Sequence, residues 1–123
     1  MVSRRLLWPI SVYLPVERIN GPVLLISGTD DAVWPSTVLS EFAVRRLRAH
    51  AHPHAVEHLV YDGAGHIIGP PVPGISFSIT HAVHPIIGLD FAFGGSVEKN
   101  TAASHDSWAR ILRFLGGVFQ RAA

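Results

Sequence analysis

The sequence predicts an α/β fold of parallel strands with flanking helices, the carboxyl-terminal portion of a larger sheet. Three observations predict it. The apolar run GPVLLISG at 21–28 sits between turn residues and does not alternate, the pattern of a strand covered on both faces. A helical segment and a second strand-like run follow it, the order of a βαβ unit. Charged residues make up only 15% of the 123, below the roughly 25% usual in soluble domains, which suits a segment buried on more than one side.

Each element has a local cause. Residues 1–20 read as extended or irregular, because Pro9 and Pro15 oppose a helix. Residues 1–14 form a poorly assigned leader, and at most a third strand could come from 5–14. The first strand closes at Gly28, and a polar loop runs to Ser36. A helix is expected over 37–49, with Ser36 or Thr37 as the cap for its first amides. Val38, Leu39, Phe42, Ala43 and Leu47 are its expected apolar face. The polar break HAHPH at 50–54 ends it, and VEHLVY at 56–61 is the second strand. The stretch 67–100 is rich in Gly and Pro without periodicity, yet Ile67, Ile68, Phe77, Ile86 and Phe91 argue against disorder. The last helix is expected over 101–115, with Trp108, Ile111, Leu112 and Leu115 as a core stripe and Gly116-Gly117 as its stop.

Two buried parallel strands cannot cover each other's edges and faces. The pattern therefore favours a half-domain over a complete small domain whose remaining strands hide in 67–95.

Composition excludes several classes. With no cysteine, a disulfide scaffold and a Cys-type zinc ribbon are out. A net charge of +1 leaves no footprint for nucleic acid. No apolar run approaches the ~18 residues of a membrane helix. The start MVSRRLLW resembles a signal peptide only faintly, since Pro9 interrupts it and no cleavage site follows. The cytoplasm is the default compartment.

Two motifs stand at the ends of the two strands. Asp31 follows the first, in Gly28-x-x-Asp31, and His66 follows the second, in Gly63-x-Gly65-His66. Functional groups of parallel sheets collect at the carboxyl ends of strands. A carboxylate and a histidine there match the last two members of a Ser…Asp…His triad. The histidine takes the proton of a weak nucleophile, and the carboxylate fixes its tautomer and stabilises the imidazolium. Taken singly, Asp30-Asp31 reads first as turn chemistry and Gly63-x-Gly65-His66 as a loop with an incidental histidine; together, at matching ends of consecutive strands, they favour the functional reading. Asp30 and Asp31 compete for the acid role, and periodicity does not separate them.

A different class rests on the eight histidines. His50, His52, His54 and His58 form one cluster and His81 and His84 a pair, so a His-rich metal-binding or non-catalytic interaction module is the rival reading. The spacing matches no standard zinc signature, and a polar surface connection explains the cluster as well.

The combination of PVERI (15–19), PVLLISGTDDAVWPS (22–36), Arg46-Leu47, YDGAGHIIGPP (61–71), Gly94-Gly95 and Asp106-x-Trp108 resembles the carboxyl-terminal catalytic domain of acyl-CoA thioesterases and bile acid-CoA:amino acid N-acyltransferases. The resemblance spans 15–115. It implies an α/β-hydrolase segment over 15–119, with Asp31 as triad acid and His66 as triad histidine. Asp30 becomes a neighbour that shapes the turn, and Trp34, Pro70 and Pro71 become pocket walls. It also implies a coenzyme A thioester as substrate and no cofactor or metal. The family's nucleophile sits upstream in a Gly-x-Ser-x-Gly-like elbow, and the oxyanion hole is built around it. The sequence holds no such elbow: Gly74-Ile75-Ser76-Phe77-Ser78 fails at its last position and follows the acid. Where the family has Pro-Pro-Tyr, Pro70-Pro71-Val72 stands. The isolated chain is therefore expected to be inactive, with a complementing amino-terminal half as its partner.

Overall fold

A computed structural model describes residues 14–71 and 79–122. The expected third strand at 5–14 falls almost wholly outside them, as does Gly74–Ser78. A 3-10 turn at Val16–Arg18 leads into β1 (Val23–Gly28). α1 (Ser36–Ala49) and β2 (Val56–Tyr61) follow, then the short strands β3 (His81–Val83) and β4 (Asp90–Ala92), and finally α2 (Val97–Ala122). The arrangement is mixed α/β, with one small parallel sheet, one small antiparallel sheet and two helices.

β1 and β2 are parallel, in register from Val23 opposite Val56 to Gly28 opposite Tyr61. Side chains alternate across a strand, and their partners place the helices on opposite faces. On one face, Ser27 Oγ bonds His58 Nε2 at 2.8 Å and accepts from Thr37 Oγ1 of α1 at 3.1 Å. Burial there pushes the His58 imidazole below its ordinary value, against the opposing pull of Glu41. On the other face, Tyr61 donates to Asp106 Oδ2 of α2 at 2.8 Å, and Arg110 reaches both Asp106 and Glu57. Burial, and then the bond to Asp106, push the Tyr61 phenol up to about 12.

Local chemistry differs from expectation at three helix features. The residue before α1 is Pro35, and no side chain caps the first amides. Ser36 and Thr37 instead donate to the Gly28 carbonyl, tying the helix to the end of β1. At its other end, His52 N–H bonds the Leu47 carbonyl and Ala51 N–H that of Arg48, with Ala51 at φ 49°. This is a Schellman closure with alanine where glycine is favoured. α2 begins before 101 and passes through Gly116-Gly117 without stopping. A Cβ at Gly116 would meet nothing, and a helical glycine costs only about 1 kcal/mol relative to alanine.

Burial also corrects the expected helix faces. α1 buries Val44 and Leu47, while Val38, Leu39 and Phe42 are exposed. α2 buries Asn100, Ala103, Ser104 and Ser107, while Trp108, Leu112, Leu115 and Phe119 lie open. A two-stranded sheet covers only a narrow strip of each helix, and small residues let α2 approach it closely. Glu17 in the 3-10 turn pairs bidentately with Arg46 of α1, one bond being 2.7 Å. That guanidinium holds the Glu17 carboxyl down at about 2.

Candidate functional site

The carboxyl ends of β1 and β2 lie side by side because the strands are parallel and in register. Gly28 ends β1 where no larger residue fits: a Cβ there would lie 2.2 Å from the Ala64 carbonyl oxygen. This contact lets the loop after β1 press against the loop after β2. Asp30 N–H donates to the Ala64 carbonyl at 2.9 Å, and Thr29 N–H to that of Tyr61 at 3.1 Å.

Asp31 and His66 meet in this junction. Asp31 Oδ2 lies 3.0 Å from His66 Nδ1, with the Asp31 side chain 3% exposed and that of His66 27%. The other carboxylate oxygen, Oδ1, accepts the amides of Val33 at 2.9 Å and Trp34 at 3.2 Å. Burial alone would raise the Asp31 pKa. The hydrogen bonds from His66, from the Trp34 and Val33 amides and from Ser36 outweigh it and leave the carboxyl below its ordinary value. An ionised Asp31 only accepts hydrogen bonds, so the proton of the imidazole sits on Nδ1 and Nε2 is the basic nitrogen.

Of the two candidate acids, Asp31 is the one that faces His66. Asp30 turns the other way, and its Oδ2 accepts the Gly95 amide at 2.9 Å.

The imidazole is held between two rings. Trp34 meets it edge-on with centroids 5.3 Å apart, and Phe93 stacks at 6.2 Å and 14°. The Phe93 carbonyl accepts both His66 N–H at 2.8 Å and Ala32 N–H at 3.3 Å, joining the histidine and acid loops. Phe93 directly follows the hairpin of β3 and β4, an element not legible as strands in the sequence.

An open cleft of about 200 Å³ is lined by Asp31, Trp34, Ser36, Gly65, His66 and Ile68, with the end of β1 as its floor. Trp34 stands among its lining residues. Pro70, which is exposed, and Pro71 are not among the residues that line this cleft. Sequence reasoning missed Phe93 and Asn100. Asn100 Oδ1 accepts the Gly65 amide at 2.8 Å, and a buried asparagine in an otherwise small-residue helix face is the signal that could have found it.

The histidine-rich connection is dispersed over separate partners. His50 Nδ1 bonds the Arg46 carbonyl, His52 Nε2 the Gly21 carbonyl, His54 Asn20 and His58 Ser27. Among the described residues, no group of three or more His, Cys, Asp or Glu side chains is arranged to hold a metal ion. Among the same residues, no helix is long and apolar enough to cross a membrane.

Comparison with known proteins adds an independent line. The family model "BAAT / Acyl-CoA thioester hydrolase C terminal" matches residues 10–120. The chain is 36% identical over 104 residues to the peroxisomal succinyl-coenzyme A thioesterase of Mus musculus, covering 84% of this chain and 24% of that protein. It is 36% identical over 102 residues to the mouse acyl-coenzyme A amino acid N-acyltransferase 1, covering 83% and 24%. Against the mitochondrial acyl-coenzyme A thioesterase 2 of Rattus norvegicus the identity is 32% over 104 residues, covering 84% and 22%. The chain thus spans about a quarter of the length of these relatives. Relatives whose names carry a compartment are peroxisomal or mitochondrial, which overturns the cytoplasmic default.

Proposed function

The chain belongs to the BAAT / acyl-CoA thioester hydrolase C-terminal family, and from that premise we propose that it supplies the acid and histidine of an acyl-transfer triad acting on a coenzyme A thioester. The observation that carries this reading is the 3.0 Å contact of Asp31 with His66 at the ends of adjacent parallel strands. Residues 15–119 are then the carboxyl-terminal part of an α/β-hydrolase sheet, and the nucleophile comes from sequence outside this chain.

In that scheme His66 Nε2 takes the proton of the nucleophile as it attacks the thioester carbonyl. The imidazolium is stabilised by Asp31 through Nδ1–H. As the tetrahedral intermediate collapses, the proton passes from His66 to the departing CoA thiolate and leaves an acyl-enzyme. His66 then activates water for hydrolysis, or an amine for N-acyl transfer. Both outcomes share every step up to the acyl-enzyme, so relatives named as thioesterases and as N-acyltransferases fit one site. Trp34 and Phe93 keep the imidazole from rotating and restrict water on its flanks.

A chimera tests this. Residues 15–119 replace the matching carboxyl-terminal segment of the mouse peroxisomal succinyl-coenzyme A thioesterase, which supplies the upstream portion. Thioester cleavage that is abolished by His66→Ala is the expected result. A folded chimera whose cleavage is unchanged by His66→Ala would refute the assignment.

A further inference from the structure

We propose that Asn100 is a positioning residue for the Asp31–His66 pair, joining through one buried amide the backbone just before the histidine and the backbone that abuts the acid. The purpose given to the pair rests on the acyl-transfer reading; the joining itself does not.

Asn100 is fully buried near the start of α2. Its Oδ1 accepts the Gly65 amide at 2.8 Å, one residue before His66. Its Nδ2 donates to the Gly94 carbonyl at 3.3 Å. Gly94 pairs with Asp31 in an isolated β-bridge, and the next residue, Gly95, donates its amide to Asp30. One side chain thus spans both sides of the acid–base contact. The segments are in close touch, since a Cβ on Gly65 would lie 2.2 Å from the Gly94 oxygen, and one on Gly95 2.1 Å from Asn100 Oδ1. Gly94 and Gly95 both have positive φ, 78° and 73°, a conformation that glycine alone adopts freely.

Only a side-chain amide serves this place. The Gly65 N–H needs an acceptor and the Gly94 carbonyl a donor, and asparagine carries both on one short planar group. An ionised aspartate only accepts, and alanine does neither. On the far side of His66, the Phe93 carbonyl holds the His66 and Ala32 amides. The histidine backbone is therefore clamped before and at the ring-bearing residue, and Asn100 is the clamp made by a replaceable side chain.

The test is proton NMR of the whole 123-residue chain, following the His66 ring N–H bonded to Asp31. A downfield ring proton in slow exchange with solvent, absent in Asp31→Asn, is expected for the unsubstituted protein. Its absence there would instead break the pair itself, and with it the proposed function. Given that signal, Asn100→Ala is expected to lose it while the fold persists by circular dichroism. Val44→Ala, a core truncation remote from the site, is expected to keep it. Asn100→Asp, which retains the acceptor but not the donor, is expected to keep the signal with faster solvent exchange, and carries the test should Asn100→Ala not fold. A ring proton exchanging as slowly as in the unsubstituted protein in either Asn100 variant overturns the inference. So does loss of the signal in Val44→Ala, which would make it a report of general stability.

Discussion

The carboxyl ends of β1 and β2 and the outer faces of the two helices are built on opposite terms. At the strand ends, the carboxylate, the imidazole and the loop amides around them have partners within the chain: Asp31 holds the His66 ring and the Val33 and Trp34 amides, and the Asn100 side chain holds Gly65 and Gly94. On the helices, Phe42 is 60% exposed and Phe119 69%, and Leu39 and Leu112 are open as well. The Asp31–His66 junction has its polar partners within the chain, while much of the apolar surface of the helices stays uncovered. The polar junction is held by short-range hydrogen bonds among neighbouring loops, whereas apolar faces need area that two strands do not provide.

The largest expected effect breaks the polar side. In an active chimera, Asp31→Asn should lower kcat by about 10⁴-fold, because the amide favours the wrong imidazole tautomer; steady-state thioester assays measure it. Next comes Asn100→Ala, which leaves the buried Gly65 N–H without an acceptor. A loss of about 1–3 kcal/mol in urea unfolding is expected. The apolar side should respond in the opposite way. Phe42→Ser with Leu112→Ser should shift stability by no more than about 0.5 kcal/mol per site and reduce self-association in sedimentation velocity. A loss as large as that of Asn100→Ala would show these faces to be core.

Acid sharpens the comparison. Glu17 has its pKa lowered from 4.5 to about 2 by Arg46, so its stabilisation is full above 4.5 and lost as pH falls toward 2. Asp31, lowered from 3.8, acts with the same sign. Denaturation midpoints should therefore fall across that window, and Glu17→Gln should flatten the fall. Ala51→Gly at the α1 terminus should add about 0.5–1 kcal/mol in the same urea unfolding, by relief of the left-handed alanine.

What was legible in the sequence follows from range. β1, α1 and β2 are set by local pattern, and Asp31 and His66 stand out because each follows a strand directly. The β3–β4 hairpin escapes because its strands are three residues each, separated by Pro85 and Gly88, and too short to show alternation. The helix faces escape because periodicity gives an apolar arc and not the strip of it that a narrow sheet covers. Asn100 escapes because its partners, Gly65 and Gly94, are backbone groups, one of them 35 residues away. Local pattern does not say which of Asp30 and Asp31 faces the histidine, because that depends on the distant Gly94–Gly95 segment, which bridges to Asp31 and donates to Asp30.

In the proposed reading this chain holds the base and its orienting acid, and the nucleophile lies outside it. The direct measurement is thioester cleavage by the purified 123-residue chain across acyl-CoA chain lengths, beside its His66→Ala variant. Background rates are expected for both. Turnover well above background that disappears in His66→Ala would contradict that reading, by showing a nucleophile within these residues.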